Sequence, residues 1–102
     1  MNDFKYYLTH KAIDDIGSIW FYTKTTWSEM QADKYYLALI NDCDKLAFNQ
    51  NLGKRYVDLP NEIFGYLSNK HIIFYRKLSD SEIEITRFLH SRMDIKNKIS
   101  EI

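Results

Sequence analysis

The chain of 102 residues carries 14 basic and 14 acidic side chains, and 45% of its residues are hydrophobic. This length fits one packed domain, and the zero formal net charge excludes the sequence-independent grip on nucleic acid that a strongly basic protein has. The single cysteine, Cys43, rules out an internal disulfide and favours a reducing compartment. No apolar run approaches the ~18 residues of a membrane span, so we expect a cytoplasmic domain.

The N-terminal half predicts a short strand followed by a helical hairpin. Residues 4–8 are rich in aromatic side chains, which favours a strand. Thr9 can cap a helix over residues 10–27, and Ser28 can cap a second helix directly after it. Both helices have apolar residues at intervals of three and four. Because the joint between the helices is so short, we expect an antiparallel hairpin over about residues 10–48.

The C-terminal half predicts three consecutive strands, because its apolar residues recur with a period of two. The candidates are residues 62–67, 70–78 and 82–89, which are separated by short polar turns. Short connections produce an antiparallel meander, here over about residues 62–89. The remaining residues, 91–102, are polar with isolated apolar side chains and predict a short helix or an extended tail.

These elements predict one α+β domain over residues 1–102. In the simplest packing, the N-terminal strand and the antiparallel helical hairpin lie against a three- to four-stranded antiparallel sheet. One strand is apolar at four consecutive positions, from Ile72 to Tyr75, although successive strand residues point to opposite faces. The hairpin therefore leaves one apolar face uncovered. Either a partner protein binds there, or the C-terminal tail or the loop at residues 49–61 folds over it.

Few residues have the spacing of a catalytic or metal site. The three histidines and the single cysteine do not show a zinc-binding spacing, and the sequence has neither a phosphate-binding glycine loop nor a nucleophile elbow. Cys43 lies in the apolar stripe of the second helix, which favours a buried structural thiol over a nucleophile. We therefore expect no cofactor and no metal.

Basic residues in the second half are the remaining candidates for chemistry. A basic cluster with one imidazole could stabilise phosphate charge and move a proton, as a metal-independent ribonuclease requires. Strand alternation places Arg87 and His90 on opposite faces, unless a bulge follows Thr86. Scattered basic residues are also usual on a solvated surface. The candidate catalytic residues of this alternative are Arg55, Arg76, Arg87 and His90.

Two segments together resemble a known family. The opening YYLTHKAIDDIGSIWFYTKTTWS, followed by QADKYYLALI, is similar to the start of the ParE-type toxins of bacterial type II toxin–antitoxin modules. The closing HIIFYRK and IEITRFLHSRMDI resemble their C-terminal strands and the residues that follow. The resemblance covers about residues 6–95. It implies the fold of the RelE/ParE superfamily, a helical hairpin against an antiparallel sheet.

The resemblance also implies a function. ParE toxins act on DNA gyrase and are neutralised by a ParD-like antitoxin, whereas their RelE relatives cleave mRNA in the ribosome. The last strand has no tyrosine after Arg87, and the chain is not basic, so the ParE branch is favoured. We therefore expect a gyrase-binding toxin without enzymatic activity, and a ribosome-dependent mRNA endonuclease is the alternative.

Two groups of residues are expected to contact other proteins. The first group would face or support the antitoxin, although a plain core position is the alternative for its two helix residues. Its members are Trp20, Tyr36, Ile72, Phe74 and Tyr75. The second group would form the surface that meets the target. Its members are Arg87, His90, Arg92 and Met93.

Overall fold

The computed structural model describes residues 3–95, which form two helices and a five-stranded sheet. The predicted α+β class and the helical hairpin are confirmed. The predicted tail lies outside the described residues beyond Ile95. In chain order the elements are β1 (Lys5–Leu8), α1 (His10–Thr26), α2 (Glu29–Phe48), β2 (Lys54–Arg55), β3 (Phe64–Ser68), β4 (His71–Ser79) and β5 (Glu82–His90).

Hydroxyl side chains cap both helices at the predicted residues. Thr9 Oγ accepts a hydrogen bond of 3.1 Å from the Ala12 N–H, and Ser28 Oγ accepts one of 3.0 Å from the Gln31 N–H. Each cap satisfies one of the backbone donors that a helix leaves free at its start. Neither helix within residues 3–95 is long and apolar enough to cross a membrane.

The sheet has the strand order β1-β5-β4-β3-β2 and is larger than the sequence predicts. The meander of β3, β4 and β5 is antiparallel, as expected. Two edge strands were not predicted in these places: β1 pairs with β5 in parallel, and the two-residue β2 pairs with β3. The N-terminal strand is therefore part of the sheet and lies beside the last strand of the chain.

A β-bulge at Thr86 changes the face of the sheet on which the side chains at the end of β5 lie. Phe74 lies opposite Arg87 and Tyr75 lies opposite Ile85, so Thr86 has no partner on β4. Its hydroxyl instead donates to the Phe74 carbonyl over 3.2 Å. A bulge resets the alternation of a strand. The residues after the bulge therefore lie on the faces opposite to those predicted by simple alternation from the first half of β5.

The main core lies between the hairpin and one face of the sheet. Its members are Ala12, Ile16, Leu39, Cys43, Leu46, Ala47, Ile73, Tyr75, Ile83, Ile85 and Phe88. A second, smaller cluster lies on the other face of the sheet. Its members are Leu59, Ile63, Ile72, Phe74 and Leu89, with Tyr56 and Ile95 packed against them.

The segment of residues 56–63 covers this second cluster. Backbone hydrogen bonds close it on itself, from the Tyr56 N–H to the Ile63 carbonyl over 2.9 Å and from the Leu59 N–H to the Tyr56 carbonyl over 3.0 Å. The Tyr56 ring packs edge-on against Phe74, with 5.2 Å between ring centroids. The expectation of an uncovered apolar sheet face is therefore wrong. The loop alternative describes what is found, because the chain buries this face itself.

Candidate functional site

Arg87 is held in a buried ion pair rather than displayed on the surface. Its Nε and Nη2 atoms donate to the two carboxylate oxygens of Asp15 on α1, over 2.7 and 2.9 Å. The backbone N–H of Phe88 donates to the same carboxylate over 3.0 Å. The Arg87 and Asp15 side chains are only 12% and 13% exposed. Arg87 therefore fastens α1 to β5 and leaves little of its side chain exposed, so its expected contact with a target stays a prediction.

His90 is packed against a second histidine on β4. Its ring lies edge-on to that of His71, with 5.2 Å between centroids. The Tyr35 hydroxyl accepts the Lys70 N–H over 3.2 Å and shares a hydrogen bond of 2.7 Å with His71 Nδ1. Burial, and then the proximity of His90, lower the pKa of His71 to about 4. His71 is therefore neutral at physiological pH, and the pair joins α2, β4 and β5.

The turn after β5, residues 91–94, displays the rest of the predicted target surface. The Arg92 N–H donates to His90 Nδ1 over 3.1 Å, and the Met93 N–H donates to the His90 carbonyl over 3.0 Å. The Arg92 and Met93 side chains are exposed. The four predicted residues therefore divide into two that hold the end of β5 in place and two that project from it.

Arg55 and Arg76 meet in a different place, which we call the basic cleft. This cleft of about 220 Å³ is lined by Arg55, Asn61, Glu62, Phe64, Arg76 and Lys77. Arg76 is paired with Glu84 over 2.8 Å, and Arg55 lies 4.0 Å from Glu62. Lys77 Nζ lies 4.3 Å from the centroid of the Phe64 ring. Two carboxylates therefore balance much of the positive charge of the cleft.

The four residues of the ribonuclease alternative do not form one site. His90 lies opposite His71, which is five residues from Arg76 along β4 and thus about 17 Å away. Arg87 is paired with Asp15 on the helix. Catalysis by these residues requires them to surround one phosphate within hydrogen-bonding distance. Only Arg55 and Arg76 are brought together, so the predicted catalytic set is wrong as an assembled site.

Three of the residues expected to face the antitoxin are buried by the chain itself. Ile72 and Phe74 belong to the cluster under residues 56–63, and Tyr75 points toward the hairpin. The Tyr75 hydroxyl donates to the Gln50 carbonyl over 2.7 Å and accepts the Gly53 N–H over 3.1 Å. The three residues are therefore too deeply buried to face a partner directly, and a supporting role for them stays a prediction.

The two helix residues of that group lie at the surface of the hairpin. Trp20 Nε1 donates to Asp33 Oδ1 over 2.9 Å and so links α1 to α2. Lys24 Nζ lies 5.3 Å from the centroid of the Trp20 ring. Tyr36 remains partly exposed on α2. Trp20 is thus engaged within the hairpin, and Tyr36 alone of the five residues presents an open aromatic surface.

The cysteine is part of the main core. Cys43 is fully buried on α2. Burial, together with the charges of Asp44 and Asp42, raises the pKa of its thiol to about 12. The thiolate is the reactive form of cysteine, so this thiol is inert in the folded protein. Within residues 3–95, no group of three histidine, cysteine, aspartate or glutamate side chains could hold a metal ion.

Sequence reasoning missed an apolar strip on the outer face of α1. Ile13 and Phe21 are exposed there, with Gly17 between them, and Asp14, Ser18, Tyr22 and Thr25 complete a shallow groove. The signal was present in the sequence, because these apolar residues lie outside the stripe that contains Ala12 and Ile16. A stripe of apolar residues facing away from the core marks a candidate interaction surface.

Characterised proteins share sequence with nearly the whole chain. The curated toxin ParE1 of Mycobacterium tuberculosis strain CDC 1551 / Oshkosh is 27% identical over 95 residues, which cover 93% of this chain and 97% of that protein. The toxin ParE1 of Caulobacter vibrioides is 29% identical over 91 residues, covering 89% of this chain and 93% of that protein.

A solved structure shares the fold. A chain described as "Chromosomal ParDE TA system from P. aeruginosa" superimposes with a TM-score of 0.72 at 18% identity, covering 85% of this chain and 95% of that one. The sequence model described as "ParE toxin of type II toxin-antitoxin system, parDE" matches residues 6–95. That match runs from β1 to the turn after β5, so this chain belongs to the ParE toxin family of type II toxin–antitoxin systems.

Proposed function

We propose that this toxin inhibits bacterial growth in the cytoplasm by binding DNA gyrase, and that a cognate ParD-like antitoxin neutralises it. The family match over residues 6–95 is the observation that carries the proposal. The neutral charge of the chain agrees with a protein target better than with a nucleic acid held through its phosphates. The toxin then acts by occupying a surface of its target, without a chemical step of its own.

The turn at residues 91–94 is the surface that we assign to the target. Arg92 and Met93 project from it, and arginine and methionine are both enriched in protein interfaces. The turn is held from below by the hydrogen bonds to His90, and the Asp15–Arg87 pair fixes the end of β5 against α1. A rigidly supported exposed turn loses little conformational entropy on binding.

The first prediction tests this assignment directly. Cells that express the chain from an inducible promoter should stop dividing and induce the DNA-damage response, and the purified protein should inhibit supercoiling by gyrase. The double variant Arg92→Ala/Met93→Ala should weaken inhibition at least about tenfold, the effect of losing about 1.4 kcal/mol of binding free energy. Thermal unfolding should be unchanged, because both side chains are exposed.

The matched control removes one methionine and one basic side chain at another exposed site. Met30 and Lys34 are exposed on α2, so Met30→Ala/Lys34→Ala should inhibit gyrase as well as the parent does. Equal loss in both double variants would contradict the assignment to the turn. Unchanged supercoiling with the parent protein would contradict gyrase as the target.

The basic cleft gives the endonuclease alternative its one supporting observation. Arg55, Arg76 and Lys77 could together hold a phosphate of bound RNA. In a translation extract, this alternative requires cuts in a reporter message that disappear in the Arg76→Ala variant. We expect an intact message, because no histidine or tyrosine among residues 3–95 lines the cleft to move a proton.

A further inference from the structure

The apolar strip of α1 is centred on a glycine. Ile13 and Phe21 are 50% and 62% exposed, and each lies four residues from Gly17 on the same outer face of the helix. One helical turn of about 5.4 Å is close to this spacing, so the two large side chains flank the glycine almost symmetrically. The strip therefore has a low centre and two raised ends.

Nothing within residues 3–95 requires Gly17. A Cβ atom built there meets no other atom within 4 Å, and the backbone of the residue is helical. A glycine inside a helix costs about 1 kcal/mol relative to alanine. The close approach of another backbone, a common reason for a helical glycine, is therefore not met within the described part of this chain.

We propose that the strip is an interface with a second copy of this chain, in which two α1 helices cross antiparallel at Gly17. A twofold axis through this crossing brings the glycines of the two copies face to face. Ile13 of each copy then packs against Phe21 of the other, because both residues lie about 6 Å from the crossing along the helix. The strip is thus complementary to itself.

The charge of the groove fits the same arrangement. Among the residues that the structure describes, Asp14 is the one charged residue that lines the groove. In the antiparallel pair the two copies of Asp14 are about 9 Å apart along the axis, and each lies beside the other copy's turn that carries Phe21 and Tyr22. The interface therefore forms without contact between like charges.

A single helix crossing buries less than the roughly 800 Å² per partner of a standard interface, so the dimer is expected to be weak and concentration-dependent. The second prediction is measured by sedimentation velocity between about 1 and 100 µM, a range that spans micromolar affinity. The mass should rise from 12.3 kDa toward twice that value. Phe21→Glu should remain a monomer throughout with unchanged thermal unfolding. Leu67→Glu is the matched control, because Leu67 on β3 is equally exposed at 62%, and it should still dimerise.

Disulfide cross-linking tests whether the twofold axis passes through the crossing at Gly17. A disulfide requires the two Cα atoms to lie within about 7 Å, so Gly17→Cys should form a covalent dimer on mild oxidation. Lys34→Cys, on the exposed face of α2, should not, and the buried Cys43 contributes no cross-link. Equal cross-linking at positions 17 and 34 would overturn the proposed geometry.

The proposal does not depend on the target of the toxin. A parent protein that stays at 12.3 kDa up to about 100 µM overturns it, whatever gyrase does in the supercoiling assay. If the parent is monomeric and Phe21→Glu weakens binding of the antitoxin, the strip is a surface for the antitoxin and the dimer is excluded. Loss of gyrase inhibition alone leaves the dimer intact.

Discussion

Asp15 accepts a backbone hydrogen bond that a neighbouring strand would otherwise accept at the edge of β5. The neighbouring strand β1 ends at Leu8, which lies opposite Ile85, so no strand of the described part of the chain lies beside the end of β5 on that edge. The Asp15 carboxylate accepts hydrogen bonds from the Phe88 N–H and from Nε and Nη2 of Arg87. Asp15 therefore pairs three N–H donors at a site that is largely shielded from solvent.

The third prediction concerns this carboxylate. Asp15→Ala should lower the free energy of unfolding by about 3 kcal/mol, because it removes the carboxylate that accepts two hydrogen bonds from a largely buried guanidinium and one from a backbone N–H. The neighbouring Asp14→Ala should change it by less than about 0.5 kcal/mol, since Asp14 is exposed. Urea denaturation below about 5 µM, where a weak dimer is dissociated, measures both values. Equal values would contradict the role given to Asp15.

This residue also shows what the sequence cannot reveal. Asp14 and Asp15 both favour an early helical turn through the helix dipole, and nothing local distinguishes them. Their different roles depend on β1 ending early and on the bulge at Thr86, which places Arg87 opposite Phe74. Both features are tertiary, so a residue that reads as a target-binding arginine is in fact part of the framework.

At the scale of elements, local chemistry predicts the helices well and the covering segment poorly. Thr9 and Ser28 cap the helices as expected, because a cap depends on residues three positions apart. The segment at residues 56–63 instead turns through Asn61 and Glu62, which have positive φ angles of 64° and 51° without being glycine. Asparagine favours a positive φ angle, but glutamate does not, so packing imposes the conformation of Glu62 and the sequence does not reveal it.

The fourth prediction compares two glycines. Gly17→Ala should raise the free energy of unfolding by about 0.5–1 kcal/mol at low concentration, because the site is helical and open. Gly65→Ala should lower it by about 1–3 kcal/mol, because the new Cβ would lie 2.5 Å from Cε1 of the Tyr56 ring. Urea denaturation of both variants checks the opposite signs. A loss of stability in Gly17→Ala would show that the monomer itself needs this glycine.

Across the whole molecule, the network of Tyr35, His71 and His90 joins three elements and makes stability depend on pH. The pKa of His71 is lowered to about 4, below its ordinary value of 6.5. Between these values the unfolded chain binds more protons than the folded one, so stability is full above pH 6.5 and falls as the pH is lowered toward 4.

The fifth prediction follows from this loss of stability at low pH. Between about pH 7 and pH 5 the free energy of unfolding should fall by about 1 kcal/mol through His71, a figure reduced for solvent screening because the ring is partly exposed. The His71→Gln variant should show a shallower decrease over the same range, measured by urea denaturation at each pH. His10→Gln, at the exposed start of α1, should keep the slope of the parent. Identical slopes for all three proteins would contradict the prediction.

The general architecture follows from the sequence, and the candidate sites follow only in part. Periodicity and short turns predict the hairpin and the meander, since both are local along the chain. The positions of Ile72 and Phe74 on the sheet were predicted, but the loop that covers them was only one of three possibilities, beside the C-terminal tail and a partner protein. Long-range pairing, such as that of β1 with β5, has no local signature.

The parallel pairing of β1 with β5 determines when each part of the chain can fold during its synthesis. Residues 5–8 reach their neighbours only after residues 82–85 have left the ribosome, whereas the hairpin needs nothing beyond α2. A nascent toxin therefore carries an unpaired strand, and one apolar side of its hairpin, through most of translation. During this interval the sheet of the growing chain is incomplete, and an antitoxin that is already present can bind the chain before it has folded.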